Sequence, residues 1–195
     1  PDLFFSEYIE GSSNNKAIEL YNPTDATLDL TGYVINYYNN GAATPTKSFD
    51  LTGITLDAGD VFVLCTDSFA EQAVCDEIQA YADADAVVFF NGDDALELTK
   101  DGVVIDVIGV VGEDPGTNWP VGTGATSEYT LTRNANVVVG NTTFTEGEWT
   151  VHPQDTFTAL GSHDSVLPIM PDLFFSEYIE GSSNNKAIEL YNPTD

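Results

Sequence analysis

Asp83-Ala84-Asp85 and Asp93-Asp94 bring hard oxygen ligands together along the chain, and Asp57 and Asp60 flank Gly59 in a third loop. Clustered carboxylates of this kind suit calcium, which takes several oxygens at once. No D-x-[DN]-x-[DN]-G loop with a distal glutamate occurs, so an EF-hand is excluded and any calcium site would be irregular. Two readings stand: at least one calcium held by Asp83, Asp85, Asp93 and Asp94, or aspartates that serve as turn residues and exposed charge. Cys65 and Cys75 are the only cysteines. They lack the C-x-x-C spacing or nearby histidine cluster of a zinc or redox site, so a structural disulfide is expected, the alternative being two buried thiols in a reducing compartment. Catalysis is poorly supplied. His152 and His163 are the only histidines, Arg133 is the only arginine, and no serine sits in an elbow motif, so no enzyme is expected. His163, in Gly161-Ser162-His163-Asp164, reads as a capping or surface residue. Glu7 and Glu19 alternate with apolar residues on two strands and share one face, which is expected to be solvated, with Lys16 softening the repulsion. A polar contact to a preceding module is the alternative.

The elements that would position these groups are nearly all strands. Leu3–Ile9, Ala17–Tyr21, Tyr33–Tyr38, Val61–Leu64, Val87–Phe90, Ala95–Thr99 and Val103–Val107 are short, rich in β-branched and aromatic residues, and separated by turn formers. Asn91-Gly92-Asp93-Asp94 and Lys100-Asp101-Gly102 supply glycine where hairpins need positive φ. Val87-Val88-Phe89-Phe90 is apolar on both faces, as in a central covered strand. Ser68-Phe69-Ala70-Glu71 has capping-box spacing and opens a stretch with Ala73, Val74, Ile78 and Tyr81 near helical period, which predicts one short helix. That helix would carry Cys75 back toward the strand ending at Cys65. Glu113 to Ser127 reads as a long surface loop pinned by Trp119.

Lys and Arg number 5 against 32 Asp and Glu in 195 residues, a formal net charge of −27. Such a field repels phosphate backbones and anionic lipid headgroups, so nucleic acid is disfavoured as a direct partner. No apolar run is long enough to span a bilayer, so membrane insertion is not expected. The chain opens without a signal pattern, so any export signal is expected to lie outside it.

Pro1 to Asp25 reads PDLFFSEYIEGSSNNKAIELYNPTD and recurs letter for letter as Pro171 to Asp195. Identity over this length implies either a recently homogenised tandem array or a deliberate duplication. Three segments follow: a domain over 1–163, a short linker over 164–170 stiffened by Pro168, and a copy of the first hairpin over 171–195 that starts a next repeat. Leu173, Phe174, Phe175, Ile179, Ile188 and Leu190 of this copy need cover, because an isolated hairpin is marginal in water.

Phe5-Ser6-Glu7-Tyr8 followed by Ala17-Ile18-Glu19-Leu20-Tyr21-Asn22-Pro23 resembles the opening hairpin of lamin tail domains. Leu28-Asp29-Leu30-Thr31-Gly32-Tyr33, Phe90-Asn91-Gly92-Asp93-Asp94-Ala95-Leu96-Glu97-Leu98, Val104-Ile105-Asp106-Val107-Ile108-Gly109, Tyr129-Thr130-Leu131-Thr132-Arg133 and Trp149 through His163 are similar to later stretches of the bacterial, secreted form. The resemblance runs from Leu3 to His163. It implies an all-β, immunoglobulin-like β-sandwich, here with one short helix, and an accessory, interaction or structural role without catalysis. The two cysteines with their helix, the acidity and the identical repeat depart from the family pattern, so no partner is carried over. Repeat, linker and charge together point to a structural or adhesive repeat unit of an extracellular, filamentous or surface-attached bacterial protein. Its expected partners are copies of itself or adjacent repeats, joined head-to-tail. The accessory domain of a secreted nuclease and an engineered duplication driving strand exchange are the alternatives.

Overall fold

Along Tyr33–Tyr38 the residues Tyr33, Ile35 and Tyr37 are buried while Val34 and Asn36 are half-buried, the mark of a strand with one drier face. By contrast, every residue of Phe4–Glu10, Lys16–Tyr21 and Val61–Thr66 is buried. The two patterns belong to two sheets, one covered on a single face and one covered on both.

The computed structural model describes residues 1–165 and 174–191, and the chain divides into two compact units, Pro1–Ser165 and Val166–Asp195. In the first unit the strands are β1 (Phe4–Glu10), β2 (Lys16–Tyr21), β3 (Leu28–Asp29), β4 (Tyr33–Tyr38), β5 (Lys47–Asp50), β6 (Thr55–Leu56), β7 (Val61–Thr66), β8 (Glu77–Gln79), β9 (Ala95–Lys100), β10 (Val103–Ile108), β11 (Pro120–Val121), β12 (Gly124–Ala125), β13 (Tyr129–Arg133) and β14 (Trp149–Pro153). One sheet has the order β14-β13-β1-β2-β7-β8 and the other β10-β9-β4-β5. Tyr8, Ile18, Leu20, Leu64 and Leu131 of the first meet Tyr33, Ile35, Leu96, Leu98 and Ile108 of the second in the main core. This is the expected immunoglobulin-like β-sandwich.

The opposite face of the six-stranded sheet carries Phe4, Ile9, Ala17, Tyr21, Val61, Val63 and Cys65, which are covered by Phe69, Val74, Cys75, Phe157 and Leu160. The hairpin β1–β2 is therefore central in its sheet and sandwiched between two apolar layers. Its open end is pinned by Asn22, whose side-chain amide donates to the carbonyls of Ala26, Leu56 and Asp57 at 2.9, 3.0 and 3.0 Å.

Three local expectations change. The short helix is present only as a 3-10 turn, Gln72–Val74, and Ile78 of that stretch lies in β8, parallel to β7. Ser68 bonds Asp67 instead of capping. Val63 N–H donates to the Asp76 carboxylate at 2.9 Å and Asp76 N–H donates to the Val63 carbonyl at 2.9 Å, so the chain is drawn straight beside β7. Val87, Val88 and Phe90 are buried as expected, yet they form no ladder. They belong to the connection from β8 to β9, where Val87 N–H is satisfied by the Gln79 side chain at 2.8 Å. A buried apolar run needs cover, and a crossing between sheets supplies it as well as strand pairing does. The stretch from Glu113 to Ser127 contains the small β11–β12 ribbon, and Trp119 is buried there against Tyr38 and Ala95. The Lys100-Asp101-Gly102 turn is as read: Lys100 pairs with Val103, and Asp101 and Gly102 both have positive φ, at 51° and 77°.

The second unit holds β15 (Phe174–Glu180) and β16 (Lys186–Tyr191), a two-stranded antiparallel sheet.

Candidate functional site

The repeated segment folds the same way twice. Phe4 pairs with Tyr21, Tyr8 with Ile18 and Glu10 with Lys16 in β1–β2, and the irregularity falls between Phe5 and Glu7. In β15–β16, Phe174 pairs with Tyr191, Tyr178 with Ile188 and Glu180 with Lys186, with the irregularity between Phe175 and Glu177. Ser13 and Ser183 share a φ of 60° in the turn. The Lys16–Glu10 and Lys186–Glu180 ion pairs match, and so do the hydroxyl bonds from Ser6 to Glu19 and from Ser176 to Glu189.

The surroundings differ. Phe5, Tyr8, Ile18 and Leu20 are 0% exposed, whereas Phe175, Tyr178, Ile188 and Leu190 are 69%, 71%, 61% and 49% exposed. Ile179 is also exposed. Of the six residues expected to seek cover, Phe175, Ile179, Ile188 and Leu190 lie in the open. Leu173 and the side chain of Phe174 lie outside the described residues, as does linker segment 166–170.

The chain that follows β14 straps β1–β2 along its length. Near the hairpin turn, Asp155 accepts from Ser12 N–H at 2.9 Å and from its hydroxyl at 2.6 Å. Phe157 stacks edge-on against Phe69, with ring centres 4.9 Å apart. Gly161 N–H donates to Glu19 Oε2 at 2.7 Å. At the open end the His163 ring meets Tyr21 at 4.8 Å and Phe4 at 5.8 Å, and Ser165 and Tyr21 share a hydroxyl bond at 3.0 Å. His163 is thus a packing residue of the strap, and burial lowers its basicity.

Under this strap lie Glu7 and Glu19, directly opposite one another on neighbouring strands. The solvated face expected for them is not what the structure holds: they are 1% and 0% exposed. Glu19 accepts the Ser6 hydroxyl at 2.6 Å as well as Gly161 N–H, while Glu7 Oε1 is buried without a hydrogen-bond partner. Burial, reinforced by Glu19, pushes the Glu7 carboxyl up to about 8, and burial also raises Glu19. A cleft of about 410 Å³ opens beside Glu7, bordered by Ser6, Thr132, Thr150, Ser162 and Asp164.

A charged tie between the two sheets was not singled out in the sequence. Arg133 on β13 is paired with Asp106 on β10, both fully buried, and also reaches Glu148 at 3.0 Å. Asp106 accepts Phe5 N–H at 2.8 Å and Asn141 N–H at 2.9 Å, and the Arg133 guanidinium lies 4.3 Å from the Trp149 ring. Burial raises the Asp106 carboxyl against the pull of Arg133 and the two amides. The signal in the sequence was a lone carboxylate within Val104-Ile105-Asp106-Val107-Ile108 and the chain's single arginine.

Cys65 and Cys75 are joined in a disulfide, with Cα atoms 5.9 Å apart. The bond fastens the covering layer to β7, whose Cys65 pairs with Ala17 of the hairpin. The four aspartates all lie in the connection from β8 to β9. Asp83 accepts Ala80 N–H at 2.7 Å, and the Asp85 carbonyl accepts the Gln79 amide at 3.1 Å. Asp94 accepts Asn40 N–H at 2.8 Å, Asn91 N–H at 3.1 Å and the Tyr37 hydroxyl at 3.0 Å. Among the described residues no group of three or more His, Cys, Asp or Glu side chains is arranged to hold a metal ion.

With the sandwich and its opening hairpin in view, the family model of the lamin tail domain matches residues 1–112. The chain belongs to the lamin tail domain family. That family is made of non-enzymatic immunoglobulin-like domains. The matched stretch of the lamin tail domain ends after β10, short of the resemblance read to His163, and β13, β14 and the strap complete its six-stranded sheet. A search of curated proteins found no match.

Proposed function

We propose that this lamin tail domain is a non-catalytic structural or adhesive module of an extracellular, filamentous or surface-attached bacterial protein, and that its copies or adjacent repeats join head-to-tail through β15–β16. The observation that carries this reading is the pair of identical hairpins, one filling the centre of a sandwich and one with an exposed apolar face. Every group by which the sandwich grips β1–β2 has its counterpart in the copy. Ser182 and Asn185 stand for Ser12 and Asn15, which meet Asp155, and Glu189 stands for Glu19, which meets Gly161. A hairpin donated to another body of the same sequence would gain two strand ladders and two covering layers.

Each body has one central slot, so exchange of identical hairpins leaves the number of filled slots unchanged. The drive to associate therefore comes from the hairpin faces left over, which bury one another or enter adjacent repeats. Hairpin faces that bury one another close as pairs, whereas a hairpin entering an adjacent repeat makes a heterologous contact that extends into open chains. The disulfide supports an oxidising, extracellular setting, and among the described residues no helix is long and apolar enough to cross a membrane.

Analytical ultracentrifugation of the full chain beside a chain lacking Pro171–Asp195 tests this. The shortened chain is expected to stay a folded monomer while the full chain assembles with rising concentration. Identical sedimentation as monomers at high concentration would remove the main support for assembly.

A further inference from the structure

The geometry points to a proton-operated latch: Thr158–Ser165 closes over the outer face of β1–β2 while Glu7 is protonated, and lifts when Glu7 ionises beside Glu19. The latch is a property of the sandwich itself and goes beyond the assembly reading, since it holds whether or not copies associate.

Three observations define it. Glu7 and Glu19 face each other between two apolar pairs, Phe4 with Tyr21 on one side and Ile9 with Ala17 on the other. Glu19 has a donor on each carboxylate oxygen, from Ser6 and from Gly161, and Glu7 Oε1 has none. The cleft of about 410 Å³ gives water a route to Glu7 along the strap.

Among the described residues, no packed element brings Glu7 an unpaired positive charge. On the hairpin itself, Glu10 and Lys16 pair with each other. From the β7 side comes the Asp76 carboxylate, which acts on Glu19 and is held by Val63 N–H, and from the strap comes the Asp164 side chain at the edge of the cleft. Arg133 borders the same cleft, but its charge is paired with Asp106 and Glu148 even though its Nε–H has no partner, and the His152 ring is bonded to Thr132. His163 is held toward its neutral form by burial. An ionised Glu7 would thus sit desolvated against a second carboxylate, and hydration is the remaining way to stabilise it. The hinge is given by contacts that do not involve the pair: Asp155 on Ser12 and Phe157 on Phe69 hold the near end of the strap. Beyond them, the far end is held by Leu160 in the outer apolar layer, the Gly161 bond to Glu19, the His163 ring against Tyr21 and Phe4, and the Ser165–Tyr21 hydroxyl bond.

Hydrogen exchange read by mass spectrometry on the full chain, corrected for the intrinsic pH dependence of exchange, tests the latch. Protection of Thr158–Ser165 is expected to fall about tenfold or more between roughly pH 6.5 and 9, while β9–β10 keeps its protection. In Glu7→Gln, which cannot ionise, that fall is expected to vanish. Equal protection across the range, or an equal fall in Glu7→Gln, overturns the proposal. Should Glu7→Gln not fold, the carboxyl carbon of Glu7 is followed by NMR in the native chain. Titration near the ordinary value of 4.5 with the strap still protected overturns the latch, and titration in step with loss of protection supports it.

Discussion

The hairpins β1–β2 and β15–β16 share every residue, register, bulge, turn and internal ion pair, yet every strand residue of one is buried and the other presents its apolar face to solvent. The comparison separates what a strand pair does alone from what a sandwich does to it. Turn chemistry and cross-strand pairing suffice to set the hairpin's shape. They do not decide whether Tyr8 or Tyr178 meets water, or whether a carboxylate keeps its ordinary character. Those follow from the second sheet, the β7 layer and the strap.

The largest effect that sharpens the contrast is expected from truncating the same side chain in each copy. Phe5→Ala should destabilise the sandwich by about 3–5 kcal/mol in urea unfolding, as for a core phenylalanine, while Phe175→Ala should stay within about 0.5 kcal/mol. A much smaller loss for Phe5→Ala that reappears in the double variant with Phe175→Ala would mean that the copy had taken over the central slot. Next in size is the disulfide, which holds the covering layer on the hairpin's outer face. Replacing both Cys65 and Cys75 by Ser should lower stability by about 2–3 kcal/mol in the same assay, the value for closing so short a loop. Two alkylated thiols in the non-reduced, denatured protein would show that the bond does not form.

The buried carboxyl comes third. Glu7 has its folded pKa above its unfolded value, so the folded chain binds more protons and stability is full below about 4.5 and falls as pH rises through about 8. Glu7→Gln should remove that decline and be more stable than the native chain at alkaline pH by about 1–3 kcal/mol, the range for relieving an unsatisfied buried group. Glu177→Gln should leave the profile unchanged. Melting curves across the pH range read both variants. The smallest effect belongs to the exposed hydroxyl that receives the strap: Ser12→Ala should cost about 0.5–1.5 kcal/mol through the lost bond to Asp155, and Ser182→Ala close to nothing.

Much of this was legible in the residues. The strand at Tyr33–Tyr38, the turn at Asp101-Gly102 and the cysteine pairing all follow from short-range pattern, and the family motifs give the sandwich. Where the reading failed, a local signal was overruled by a distant partner. The capping-box spacing at Ser68 was overruled by β7, which drew Asp76 and β8 straight. The apolar run at Val87–Phe90 was answered by burial of a connection instead of a ladder. The alternation that made Glu7 and Glu19 look solvated was sound about their shared face and silent about what would lie on it. The strap that covers them comes from a part of the chain remote in sequence, and the Asp106–Arg133 tie likewise joins two strands that no local pattern links.

The sequence by itself determined the hairpin, since two identical segments in different surroundings adopt one register, one bulge and one turn. Tertiary structure alone decided its environment: burial of Phe5 and Tyr8, the raised carboxyl of Glu7 and the strap across Glu19. The physical reason is range. Backbone sterics, turn conformation and cross-strand contact act within a few residues, whereas desolvation depends on whatever the rest of the chain brings to the same place.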